Sequence, residues 1–178
     1  PTYDKVMKSP SRLKTSVAQP VKLFFDASVR IEDESTAIGF VLETFSGERL
    51  VTKGVSTQYM ANTQAEYQAL VKALETAANY PGIEHVRIHG DCKSVIDVLD
   101  SKHKATANYV DIRRLVESAK ELLSEFEYTE LRYISRDENE DADELARLGH
   151  AKRVTTLPEP YSANKFSLPR SRQKQLAD

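Results

Sequence analysis

The stretch ANTQAEYQALVKALETA, residues 61–77, limits what this chain can fold into more than any other. Ala69, Leu70, Ala73, Leu74 and Ala77 recur at the spacing of one helix face. A helix with such a stripe must lie against a surface larger than itself. Continued backwards, the stripe reaches Glu66, and Thr63 stands three residues before it. That is capping-box spacing, in which a hydroxyl and a carboxylate close the helix start between them, and for this helix in isolation it is the simpler reading. The alternative is that the helix presses Glu66 towards the interior, where a carboxylate needs water, a cation or a metal. That alternative predicts further carboxylates at the same point in space.

The rest of the chain supplies candidates. VKLFFDASV, from Val21, carries aliphatic and aromatic residues on both faces, as a central strand does. An Asp at a strand end ordinarily opens a turn, but Asp26 stays within the extended pattern and shares a face with Phe24. After the acidic connection IEDES, the segments TAIGFVLET and ERLVTKGVST read as a hairpin joined at Ser46-Gly47. Gly39 marks a bulge, a close approach by another chain, or a tolerated small residue. Pro81-Gly82 stops the helix. EHVRIH is a fourth strand, and Gly90-Asp91 leads from it into the helix CKSVIDVLD. Asp91 therefore reads either as an N-cap or as a ligand-facing side chain at the carboxyl end of a strand, where open α/β sheets bind ligands. Bringing Asp26, Glu66 and Asp91 together as bare anions is costly, and a divalent cation removes that cost.

The connection SKHKATA holds a small basic cluster, Lys102, His103 and Lys104. Residues 108–125 read as an amphipathic helix, EYTELRYIS as a fifth strand, and RDENEDADELARLGHA as a last helix. Acids in a first turn complement the helix dipole, which accounts for most of Asp137, Glu138, Glu140 and Asp141. The stripe Ala142, Leu145, Ala146 and Gly149 puts Asp141 on one flank of the buried face and Asp143 on the other. Periodicity leaves both open and leans to Asp141.

Composition bounds the whole. The 178 residues, 40% hydrophobic and 29% charged, suffice for one domain with a proper core. A single cysteine, Cys92, excludes an internal disulfide and a cysteine-rich zinc site. No apolar run approaches the ~20 residues of a membrane helix, and no secretion signal is visible, so a cytoplasmic protein without membrane attachment is expected. Charge is uneven. Residues 1–20 carry four basic and one acidic side chains, residues 151–178 six and two, and residues 21–150 fifteen and twenty-four. The expected organisation is a basic arm (1–20), one domain (21–151) and a basic tail (152–178), with the tails able to hold a polyanion that the acidic body repels.

Four fragments, FFDAS, ANTQAEYQAL, IHGDCKSVI and RDENEDADELA, stand in an order and spacing that resembles the type-one ribonuclease H family, over residues 21–151. The resemblance implies a ribonuclease H-like α/β fold: a five-stranded mixed sheet, three antiparallel strands followed by two parallel ones, with helices on both faces. It makes Asp26, Glu66, Asp91 and Asp143 the catalytic, metal-binding carboxylates, and its ADELA match selects Asp143 over Asp141. The implied chemistry is hydrolysis of the RNA strand of an RNA/DNA hybrid with two Mg2+ ions, Mn2+ being a possible substitute. It also implies that Asn62, Thr63 and Gln64 lie in the hybrid's minor groove and that Ser28 lies close to the RNA. A monomer with no obligate protein partner is expected.

Three departures stand out. The first loop, VRIEDES, is acidic and lacks glycine; Ser135-Arg136-Asp137 occupies the place where many relatives carry a histidine; and SKHKATA is too short for a basic DNA-gripping helix. The acidic first loop and the missing histidine keep alive a catalytically silent nucleic-acid-binding module, although such a module gains nothing from four carboxylates. A nuclease of RNA or DNA duplexes is a further alternative. A small-ligand binder ranks last, because no glycine-rich phosphate loop follows the first strand.

Overall fold

The computed structural model describes residues 19–100, 110–151 and 155–156. Three antiparallel strands, β1 (Val21–Arg30), β2 (Ser35–Thr44) and β3 (Arg49–Thr57), lead into helix α1 (Asn62–Asn79). Strand β4 (His85–Gly90), helices α2 (Lys93–Leu99) and α3 (Val110–Ser124), and strand β5 (Tyr128–Tyr133) follow. A 3-10 turn at Asp137–Asn139 opens helix α4 (Glu140–Gly149). The sheet order is β5-β4-β1-β2-β3, with β4 parallel to both β1 and β5, which is the implied mixed sheet. A two-residue strand, β6 (Thr155–Thr156), adds an antiparallel edge beside β3, within the segment read from sequence as tail. The cluster Lys102, His103 and Lys104, residues 1–18 and most of the basic tail lie outside the described residues. No described helix is long and apolar enough to cross a membrane.

Both faces of the sheet are covered, as the apolar character of β1 and β2 requires. Val21, Leu23 and Phe25 of β1 and Ile38, Phe40 and Leu42 of β2 pack with Leu70, Ala73, Leu74 and Ala77, so the stripe of α1 meets the surface it called for. On the opposite face lies α4. Gly39 and Gly54 are register partners across β2 and β3, and the backbone of α4 rests directly on them. A Cβ on Gly39 would overlap the Ala142 carbonyl oxygen, and one on Gly54 would overlap that of Leu145. Close approach by another segment is thus the reason for Gly39. Beside this contact Arg49, nearly fully buried, pairs with Glu43 at 3.3 Å and with Asp141, tying β2, β3 and α4 together.

One feature of the sheet creates room for a site. Parallel pairing of β1 with β4 stops at Phe24↔His89, whereas β1 runs on to Arg30 paired with β2 alone. Beyond Phe24 the β4 side of β1 is open, and Asp26 stands at that opening.

Candidate active site

Asp26 is 6% exposed and registers with Gly39, so its side chain belongs to the face that carries α4. Its Oδ1 accepts the Ala27 N–H at 2.9 Å. Glu66 arrives from the other layer, and here the capping box fails. The N-cap of α1 is Ala61, with extended backbone and no side-chain cap, so Thr63 is already helical and cannot act as a cap. Glu66 is therefore free of the helix start. It hydrogen-bonds Asp26, and its Oε2 is buried without a partner.

Asp91 follows Gly90 at the carboxyl end of β4. It is not the cap of α2 either: Cys92 holds that position, with no side-chain cap bond. Asp26, Glu66 and Asp91 each bring a carboxylate oxygen within 4.8 Å of the others. Asp143 lines the same cavity from α4 and pairs with Arg147 one turn on at 2.8 Å. Asp141, which periodicity favoured, faces Arg49 on the other flank. Ser28, Asn62 and Thr63 also line the cavity, whereas Gln64 lines a neighbouring depression with Tyr59, Gln68 and Arg114.

The electrostatics follow from burial of like charges. Burial first, then the charge of Asp91, pushes Asp26 up to about 7; burial and then Asp26 push Glu66 up to about 10. Asp91 is raised by burial against the opposing pull of Arg136 and of a hydrogen bond from Asn139. Three converging carboxylates, one with a buried partnerless oxygen, form an oxygen-only donor set suited to a hard divalent cation.

Asn139 escaped the sequence reading. It is 1% exposed, and its Nδ2 donates to the Phe25 carbonyl at 2.9 Å, at the point where β1 has lost its β4 neighbour. It stands at the N-cap of α4 yet makes no cap bond, since its side chain serves β1 and Asp91 instead. A signal was present: Asn139 lies three residues before Ala142 and seven before Ala146, so the buried stripe extends back onto it. Arg136 lines the cavity in the stretch where a histidine was missed.

A family model described as reverse transcriptase-like matches residues 24–149. Ribonuclease HI of Halobacterium salinarum is 34% identical over 137 residues, covering 74% of this chain and 67% of the relative. The crystal structure of RNase H1 from Halobacterium salinarum NRC-1 superimposes with a TM-score of 0.69 at 32% identity, covering 75% of this chain and 99% of that one. The N-terminal RNase H domain of Rv2228c from Mycobacterium tuberculosis, at 23% identity and TM-score 0.69 over 75% and 94% of the two chains, shares the fold. So does LC11-RNase H1, solved in complex with an RNA/DNA hybrid, at 20% identity and TM-score 0.65 over 74% and 97%. Strand order, helix placement and sequence identity across the domain converge: the chain belongs to the type 1 ribonuclease H family of enzymes.

Proposed function

We propose that the chain hydrolyses the RNA strand of RNA/DNA hybrids, using Asp26, Glu66, Asp91 and Asp143 to hold two Mg2+ ions, with Mn2+ as a working substitute. The observation that carries this reading is the approach of three carboxylates within 4.8 Å, with Asp143 on the same cavity wall. Asp26, on the central strand, would help to hold both ions, with Glu66 and Asp91 contributing to one and Asp143 to the other. Bound there, divalent ions supply acidification of the attacking water and stabilisation of the leaving oxygen.

The chain's own residues do the positioning. Asn139 holds Asp91 against β1, and Arg147 holds Asp143 at the rim. Arg136 offers a cation beside the anionic cluster, available to a phosphodiester. Ser28, Asn62 and Thr63 meet the hybrid beside the carboxylates, with Gln64 further along the groove. Selectivity comes from groove shape and 2′-hydroxyl contacts rather than from base sequence. The protein works as a cytoplasmic monomer whose partner is the hybrid.

The test is cleavage of an end-labelled RNA/DNA hybrid with Mg2+ or Mn2+, beside single-stranded RNA, duplex RNA and duplex DNA. Hybrid-only cutting that vanishes in Asp26→Asn is the expected result. Binding of hybrid without cutting under either metal would replace the enzyme with a silent binding module.

A further inference from the structure

Helix α4 rests on β1, β2 and β3, and beside it the same face of the sheet continues onto β4 and β5. Phe24 and Lys22, two and four residues before Asp26 on β1, share that face. Their register partners on β4 are His89 and Arg87, which register in turn with Arg132 and Glu130 on β5. Where this strip meets the first turn of α4 and the β2–β3 hairpin lies a cleft of about 580 Å3. That is the size of a small-molecule site. It shares no lining residue with the carboxylate cavity, and the proposed hydrolysis makes no use of it.

The lining combines aromatic rings with unspent hydrogen-bonding groups. Phe24 and His89 stack at 4.5 Å on the sheet side, and Phe45, 42% exposed, stands on the hairpin side. Two cations flank the Phe45 ring, Arg87 Cζ at 4.6 Å and Lys22 Nζ at 5.6 Å from its centroid. Two further lining side chains, both more than nine-tenths buried, carry polar atoms with no hydrogen-bond partner among the described residues: Arg49 Nη1 and Asn139 Oδ1. One is a donor and the other an acceptor. Turning the Asn139 amide over does not remove the orphan, because its Nδ2 is committed to the Phe25 carbonyl. The acids of the lining are spent on protein partners. Glu43 and Asp141 pair with Arg49, and Glu138 accepts from the Ser135 N–H at 2.8 Å and from its hydroxyl at 2.9 Å. A planar molecule with a donor beside an acceptor therefore suits the cleft better than a simple cation does.

We propose that this cleft binds a nucleoside 5′-phosphate. Nucleobases carry donors and acceptors side by side on their edges, the complement of Asn139 Oδ1 and Arg49 Nη1. Their faces stack on aromatic rings, which Phe45 supplies at the mouth. The phosphate falls to Lys22 and Arg87 beside that ring. Glu130 holds Arg87 through Nε at 2.7 Å, which leaves the rest of the guanidinium for phosphate oxygens. The two orphan atoms are shielded from solvent, so the base meets them with a side-chain rotation at the wall, a common accompaniment of binding. Asn139 lines the cleft and also hydrogen-bonds Asp91, which links a bound nucleotide to the carboxylate site.

The proposal stands apart from the hydrolysis reading, and its test needs no cleavage. The nitrogen-15-labelled full chain is titrated in chelator with adenosine 5′-monophosphate and followed by calorimetry and amide spectra. Saturable binding in the millimolar range or tighter is expected, with shifts centred on Val41, Phe45, Gly47 and Ala142, and unchanged in Asp26→Asn. Phe45 is exposed, so its replacement leaves the fold standing. Phe45→Ala is expected to weaken binding about tenfold, the value of one base–aromatic stack, and Phe45→Tyr to restore it. Arg87→Gln should weaken adenosine 5′-monophosphate and leave adenosine as it was. Ribose 5-phosphate and inorganic phosphate, which lack the base, should bind about tenfold more weakly than the nucleotide. Absence of saturable binding, equal affinity for ribose 5-phosphate, wild-type affinity in Phe45→Ala, or loss of binding in Asp26→Asn would each overturn the assignment.

Discussion

Asn139 does at one position what a strand neighbour would otherwise do. With β4 ended, the Phe25 carbonyl has no ladder donor, and a buried amide supplies one while also reaching Asp91. Asn139→Ala removes that buried hydrogen bond, leaving the Phe25 carbonyl unsatisfied and Asp91 unbraced. The expected cost is about 1–3 kcal/mol of stability and roughly 10–100-fold in metal affinity or activity, as for other partners of metal-holding groups; a denaturant midpoint and a Mg2+ titration of cleavage measure the two. Asp26→Asn is expected to behave oppositely on stability. Its neutral amide needs no desolvation of an anion, so in chelator above about pH 7 the variant should melt at a higher temperature than wild type although it cuts nothing. A lower melting temperature would show that the carboxylate contributes structure rather than strain. At this scale the sequence exposed each carboxylate but not its surroundings. Thr63–Glu66 spacing is compatible with a capping box, and only the helix beginning at Asn62 rules it out.

Helix α4 shows why flank assignments need tertiary context. Its stripe is visible in the sequence, and Asp141 and Asp143 are symmetric about it. What separates them is Arg49, 92 residues away, which pairs with Asp141 and leaves the other flank to the cavity. Periodicity leaned to Asp141, and the family motif chooses Asp143. Arg49→Met, which leaves Glu43 and Asp141 without their cation, should cost about 3–5 kcal/mol in denaturant unfolding. The seat of the helix is a separate matter. A methyl on Gly54 would strike the Leu145 carbonyl, where backbone meets backbone and neither side yields cheaply. Gly54→Ala is expected to cost about 3 kcal/mol, the upper end for overpacking, and to shift α4 with Asp143, lowering kcat even where the variant remains folded. Gly47→Ala is the control: its φ of 92° makes the substitution strained, but nothing lies within 4 Å of the added methyl. It should lose about 1 kcal/mol and keep its activity. Equal loss of activity in the two variants would show that stability, not the seat of α4, governs the effect.

Across the molecule, the succession of strands and helices along the chain was legible because each element has its own periodicity and its own stops, while the arrangement of the strands in the sheet came only from the family resemblance. The opening at the site was not, because it arises from a difference in length between β1 and β4 that no single segment records. Into that opening the fold gathers anions whose proton affinities it raises, and stability must therefore depend on pH and metal together. Asp26 and Glu66 have folded values of about 7 and 10, above the ordinary 3.8 and 4.5. Raised carboxyl groups leave stability intact below the unfolded values and withdraw it as pH climbs towards the folded ones. His89 acts at the acid end instead: burial lowers it from 6.5 to about 4, so it costs stability only as pH falls below its ordinary value. Above about pH 6.5 the carboxyl effect is left unopposed by His89, and in chelator the melting temperature should fall between about pH 6.5 and 8. Under the proposed function Mg2+ is held by the ionised groups, and its addition is then expected to raise the melting temperature more at the upper end of that window and to release protons. Glu66→Gln removes the group whose folded value, about 10, stands furthest above its ordinary one, so it should flatten the fall in chelator and shrink the response to Mg2+. Melting curves of wild type and Glu66→Gln, with and without Mg2+ across that range, decide the matter. A wild-type curve flat in chelator would mean that the carboxylates are not held together as tightly as their geometry requires.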